Sequence, residues 1–185
     1  MCWSDAVLTT VTLRPLGAGD VTECLPSAAP NWDCVDETPH DGDETFITAD
    51  AELLPAASRD VYALPDGQVP DGATIQSVKV YNVVRSLNSW KRASFNRLLK
   101  TNGTVFSGVG ATVGTTYTLV STTWNTNPVT GLAWTVDEIN SLQAGGAIQP
   151  NNDGVSNGRC TQVYIEVEYT SAGKADIVGD GLTLF

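Results

Sequence analysis

Six carboxylates crowd one short stretch of the chain, Asp33, Asp36, Glu37, Asp41, Asp43 and Glu44, gathered around Gly42. Oxygen ligands at such short spacing are what a calcium ion takes, and Asp36, Asp41, Asp43 and Glu44 are the calcium candidates. Their spacing departs from the EF-hand loop, and no acid stands where a bidentate closing ligand belongs. The competing expectation is an acidic turn whose aspartates hold nearby backbone amides. His40 is the one histidine, so histidine pairs for a metal are excluded. It sits between Pro39 and Asp41 with no nucleophile elbow nearby, and Cys34, six residues away, has no other base to activate it. The four cysteines, Cys2, Cys24, Cys34 and Cys160, include no C-x-x-C pair. Cys24 and Cys34 enclose nine residues with two prolines, which allows a local disulfide in an oxidising setting; two reduced, half-buried thiols are the alternative.

Glu166 and Glu168 share one strand face, roughly 7 Å apart by strand geometry, the arrangement a glycosidase would need. Tyr164 is the lone aromatic beside them, so a solvated strand face is the expected reading. Neither a P-loop nor a G-x-G-x-x-G after a strand occurs; Gly108, Gly110 and Gly114 have the wrong spacing. Trp3, Trp90, Trp124 and Trp134 are the candidate platforms for a glycan, although tryptophan also serves in cores and interfaces. The sequence therefore predicts no catalytic residues and no cofactor apart from the calcium candidates.

With 21 acidic against 10 basic residues, the formal net charge of -11 opposes a phosphate backbone. Arg85, Lys91, Arg92, Arg97 and Lys100 cluster with Trp90 and Phe95 among them, and the expectation is a positive strand pair docking on an acidic neighbour, with no nucleic acid as partner. No apolar run approaches the ~20 residues that cross a bilayer, so no membrane is expected. The opening MCWSDAVLTT lacks a basic region and apolar core, so synthesis in a cytoplasm is expected, unless a leader has already been removed.

The elements that position these residues read as an all-β chain, since glycines and prolines punctuate short runs of Val, Thr, Tyr and Ile. Ala6–Leu13 predicts an edge strand or an arm laid on a neighbour, ended by Arg14-Pro15. Gly17–His40 reads as a long irregular segment pinned by Trp32 and Val35. Strands are expected over Thr45–Thr48, Asp60–Leu64, Thr74–Arg85, Ala93–Lys100 and Thr115–Val120, with turns at Pro65–Gly67, Pro70–Gly72 and Thr101–Gly103. Thr135 and Glu138 form a capping box that opens a helix of about two to three turns, with Val136, Ile139 and Leu142 on one face and Gly145-Gly146 at its end. From Gln162 to Tyr169 the alternation is strict, with Val163, Ile165, Val167 and Tyr169 on one side and Gln162, Tyr164, Glu166 and Glu168 on the other. The apolar tail KADIVGDGLTLF closes the chain.

In this order, TLRPLGAGDVTECLPSAAPNWDCVDE, DGDETFIT, DVYALPDG, IQSVKVYNVVR, NPVTGLAWTVDEINSLQAG and TQVYIEVEYT, the segments from Leu13 to Thr170 resemble jelly-roll modules of tailed-phage virion proteins, archaeal virus proteins and related surface proteins. The resemblance implies an antiparallel jelly-roll β-sandwich with one short helix and extended terminal arms, an exterior virion component without enzyme activity. Residues 1–20 would form an N-terminal strand or arm, 21–172 the sandwich and 173–185 an apolar C-terminal arm. Assembly is expected through Val7, Leu8, Val11 and Leu13 in the first and Ile177, Val178, Leu182, Leu184 and Phe185 in the last. The expected partners are other copies of the chain, as a homo-oligomer, or a major capsid protein. A capsid decoration or cement role leads; an extracellular filament built by strand exchange and a glycan-binding tail module are the alternatives.

Overall fold

Alternation of buried and exposed side chains builds two antiparallel sheets that face each other across an apolar layer. The computed structural model describes residues 6–53, 56–150 and 158–171. The first sheet holds β1 (Val7–Leu13), β3 (Leu25–Pro26), β4 (Ile47–Thr48), β6 (Thr74–Ser86), β10 (Thr118–Trp124) and β12 (Gly158–Ser171). The second holds β2 (Gly17–Thr22), β5 (Ser58–Ala63), β7 (Ser94–Thr101), β8 (Thr104–Ser107), β9 (Ala111–Thr112) and β11 (Gln143–Gln149). The long strands β5, β6, β7, β10, β11 and β12 alternate between the sheets in chain order, so each connection among them crosses the sandwich. That crossing pattern makes the fold a jelly-roll β-sandwich.

β12 occupies the centre of the first sheet. It pairs with β6 along nearly its whole length, while β1 and β4 share its other edge. Val163, Ile165 and Val167 are fully buried and Tyr164, Glu166 and Glu168 face outward, so a slip of one residue would bury both glutamates; Gln162, expected on the outward face, is 6% exposed beside a register shift in the β6 pairing.

The interior is divided. One apolar cluster contains Leu13, Val78, Val80, Leu99, Trp134, Ile165 and Val167, and a second contains Val35, Ile47, Tyr62, Val84, Phe95, Ile148 and Val163. At the boundary three strands place a polar residue or a glycine on the inward face: Asn82 between Val80 and Val84, Arg97 between Phe95 and Leu99, and Gly146 between Ala144 and Ile148. Arg97 is 3% exposed and donates to Thr122 Oγ1 at 3.1 Å, to the Phe95 carbonyl at 3.0 Å and to the Val109 carbonyl. Asn82 Nδ2 donates to the Gly145 carbonyl at 3.3 Å, and a Cβ at Gly146 would strike that amide.

Three expectations are corrected. The segment Gly17–His40 is not irregular throughout: it contributes β2, β3 and a 3₁₀ turn at Asn31–Cys34, with Val35 fully buried and Trp32 packed on the second cluster. The capping box at Thr135 and Glu138 is present, but its helix α1 runs only Val136–Asn140, little more than one turn. Gly145 and Gly146 do not end it; they lie inside β11, where a Cβ on Gly145 would collide with the Asp60 carbonyl. Third, of the two readings of Ala6–Leu13 the free arm does not form and the edge strand does, as β1 paired with β12. Its side chains reach the domain's own core, where Leu13 is 1% exposed and Val11 packs on the first cluster.

Candidate functional site

The acidic cluster closes on itself. Asp41 accepts from the Thr45 amide (3.0 Å), the Thr45 hydroxyl (2.6 Å) and the Thr161 hydroxyl (2.9 Å), occupying both its oxygens. Asp43 receives Arg159 at 2.7 Å, Arg85 at 2.8 Å and the Tyr117 hydroxyl at 2.8 Å. Burial pushes the Asp43 carboxyl up, but the bonds from Arg159 and Tyr117 and the two guanidinium charges outweigh it, so it titrates below the ordinary carboxylate range. Glu44 is exposed, and burial raises Asp36. Asp36, Asp41, Asp43 and Glu44 therefore do not converge as a calcium cage, and among the described residues no group of three or more such ligands does. Of the two expectations, the structure has the geometry of the acidic turn, salt-bridged and hydrogen-bonded, joining the 41–45 segment to β6 and β12. Glu37 Oε1 lies 2.6 Å from the same Thr45 hydroxyl, whose one proton the two carboxylates share, while its other oxygen is buried without a partner, and burial raises its pKa.

Nor do the nucleophile candidates meet a base. His40 is exposed, with its ring 5.5 Å from that of Tyr117. The buried Cys34 thiol donates to the Ala28 carbonyl at 2.7 Å. Cys24, Cys34 and Cys160 are all free thiols, which corrects the Cys24–Cys34 disulfide. All three belong to the second core cluster, and burial pushes Cys160 up to about 12 and raises Cys24 strongly. They are inert core residues.

On the outer face of the first sheet Tyr81 and Tyr164 stack, ring centroids 4.6 Å apart and planes 10° from parallel. Lys79 covers the other face of Tyr81 at 4.7 Å and Arg14 that of Tyr164 at 5.0 Å. Tyr81 donates to Glu166 at 2.6 Å. Beside this column runs a groove of ≈ 530 Å³ lined by Thr10, Gln76, Lys79, Asn125, Glu166 and Glu168 among others. It is a polar trough whose aromatic faces are already occupied, so Glu166 and Glu168 sit on a hydrogen-bonding surface without a stacking platform. Of the tryptophans expected to carry a glycan, Trp134 is buried at 4% and Trp124 packs on the core, whereas Trp90 is 91% exposed.

The assembly residues divide. Val7 and Leu8 are 58% and 59% exposed at the start of β1, while Leu13 and Val11 serve the core. Ile177, Val178, Leu182, Leu184 and Phe185 lie outside the described residues. Among the described residues β1 and β10 each pair on one side only, and β10 exposes Leu119 at 52%. A strand over Thr115–Val120 is among the expectations and forms as β10, Thr118–Trp124; its place at a sheet edge and the exposure of Leu119 are not legible in the sequence.

No family model matches the chain, and no curated protein matches it. Among solved structures, the N-terminal xylanase 10B of Clostridium thermocellum, CBM22-1-GH10 modules complexed with xylohexaose, superposes with a TM-score of 0.39 at 10% identity, over 91% of this chain and 28% of that one. A likeness of that degree carries no conclusion about ligand or activity. The class rests on the strand order itself: an antiparallel jelly-roll sandwich whose described residues bring no nucleophile and base together.

Proposed function

We propose that this chain is a non-enzymatic structural protein of a virion exterior, a capsid decoration or cement protein made in the host cytoplasm and assembled through the margins of one β-sandwich. The observation that carries the reading is two edges of the first sheet: among the described residues β1 and β10, seven residues each, pair on one side only, with Val7, Leu8 and Leu119 exposed along them. An unpaired edge is a template for a strand from another chain, and the apolar residues of 173–185 supply a segment of suitable composition. Partners are further copies of the chain or a major capsid protein. Strand exchange along the same edges would build a filament instead, and electron micrographs of the native assembly distinguish a lattice from a helical polymer. Deleting residues 173–185 tests the reading: a folded domain that no longer occupies particles is expected, and unchanged occupancy refutes it.

The polar groove on the first sheet favours a second reading, a glycan-binding tail module. It predicts polysaccharide binding lost on substitution of Glu168 by alanine, and a glycan array without signal counts against it.

A further inference from the structure

Two polar rungs run beside the tyrosine column on the outer face of the first sheet. In register, Thr10, Glu168 and Ser77 lie side by side on β1, β12 and β6, and Glu166, Lys79 and Thr123 form the next rung on β12, β6 and β10. A bulge thickens the first of them. Glu168 pairs with Ser77 and Tyr169 with Ile75, which leaves Gln76 as an extra residue, so Gln76 and Ser77 both face outward while Ile75 and Val78 are buried. These residues, with Asn125, line the groove of ≈ 530 Å³, a volume that suits a small organic ligand.

The lining selects among ligands. No aliphatic side chain lines the groove, and the faces of Tyr81 and Tyr164 are taken by each other, by Lys79 and by Arg14, so a hydrophobic or stacking ligand finds no contact. β12 and β6 are each paired on both sides, so the floor offers no free backbone groups to an extended peptide. A polyanion would meet two carboxylates against one ammonium, and that ammonium rests on Tyr81. What remains is a set of open hydrogen-bonding groups: among the described residues the side chains of Thr10, Ser77, Thr123, Asn125 and Glu168 have no hydrogen-bond partner. Hydroxyls and amides donate and accept, and a carboxylate accepts through two oxygens, which matches a ligand whose every edge carries hydroxyl groups.

We infer that this groove binds a neutral oligosaccharide through its hydroxyl edges, with Glu168 accepting from neighbouring sugar hydroxyls and Gln76, Ser77 and Asn125 supplying donors beside it. The four strands that carry the lining span about 14 Å across the sheet, room for several sugar residues laid across the strands. Glu166 receives the Tyr81 hydroxyl at 2.6 Å on one oxygen and offers the other to the ligand. Both acids stand on one strand and approach a sugar from the same side, an arrangement that grips without flanking a bond from two sides. The inference rests on the glycan-binding reading and deepens it, naming neutral sugars and seating them in the groove, away from Trp90.

Titration of the nitrogen-15-labelled full chain with neutral hexasaccharides of glucose, mannose and galactose, followed by NMR chemical shifts, tests it, with hexagalacturonate as the acidic probe and hexaglucosamine as the cationic one. At least one neutral probe is expected to shift the amides of Thr10, Gln76, Ser77, Asn125 and Glu168. Binding should persist in about 0.5 M salt, since it makes no ion pair. Glu168→Ala should weaken it about 10-fold or more and Gln76→Ala about 3-fold or more, while Trp90→Ala leaves it unchanged. Circular dichroism checks the fold of each variant; should Glu168→Ala fail to fold, Gln76→Ala at the exposed bulge carries the test. Shifts confined to the Trp90 loop would keep the glycan reading and overturn the inference. No neutral probe bound at about 10 mM would overturn both. Tighter binding of hexagalacturonate, or of hexaglucosamine with loss in salt, would overturn the assignment to neutral sugars.

Discussion

Asp60 holds the long N-terminal excursion against the second sheet, and its replacement should detach that excursion from an otherwise intact sandwich. The side chain is fully buried, and its oxygens accept from the Glu23 amide at 2.7 Å, the Cys24 amide at 2.8 Å, Asn31 Nδ2 at 2.7 Å and the Tyr62 hydroxyl at 3.0 Å. No cation is among these partners, so the carboxylate is solvated by neutral dipoles alone. Hydrogen bonds to a charged group contribute about 1.5–3 kcal/mol each, but deletion also recovers the cost of burying the charge, and the amides near the surface regain water. Asp60→Ala should therefore cost about 4 kcal/mol, a large share of the 5–15 kcal/mol typical of a domain. Asp60→Asn keeps one acceptor for the two backbone amides but turns an NH₂ toward the Asn31 and Tyr62 donors, so about half that loss is expected. Urea unfolding gives both values, and native-state hydrogen exchange should show lost protection concentrated in residues 17–35. An Asp60→Ala loss below about 1 kcal/mol, or protection lost evenly over the molecule, would refute the assignment.

Glu37→Gln should raise stability at pH 7 and change nothing at low pH. Burial raises the Glu37 pKa, so the folded state binds this proton more tightly than the unfolded state; the stabilisation is complete below the unfolded value and lost as pH rises through the folded one, and melts at both pH values check the sign. Asp43 works in reverse. Its depressed pKa contributes stability that is present above the unfolded carboxylate value and lost as pH falls through the folded one, so Asp43→Asn should flatten the acid side of the stability profile. Leu13→Ala should cost about 2–4 kcal/mol in denaturant melts because the side chain is 1% exposed, whereas Leu8→Ala on the same strand should change stability by less than about 0.5 kcal/mol.

Where local chemistry decides the structure, the amino-acid order is readable. The alternation of Gln162–Tyr169, the PDG turns and the Thr135–Glu138 capping box all depend on neighbours a few residues apart, and the strands and cap form there. The failures have a common cause in distant partners. Gly145-Gly146 has the composition of a helix end, yet the close approach of Asp60 and Asn82 requires residues without a Cβ at that place in β11. Residues Gly17–Thr22 have poor strand propensity and pair because β5 offers an edge and Asp60 takes the amides that follow. The acidic run looked like a metal loop because Arg85, Arg159 and Thr161, which neutralise or satisfy it, lie more than forty residues away in the chain. Asn82 and Arg97 were within reach of a closer reading, since each interrupts an apolar inward series in a strand that was itself identified.

Because β12 lies in the middle of the first sheet and comes last among the described strands, synthesis delivers the keystone after everything it must join. Until then β6 lacks a neighbour on one flank and β1 has no neighbour at all, so the nascent molecule holds two long unmatched ribbons through most of its translation. Contacts of such wide sequence separation make folding slow and late. Closure of the first sheet therefore waits on one segment, and β1 and β6, more than sixty residues apart in the chain, gain their shared neighbour in the same step.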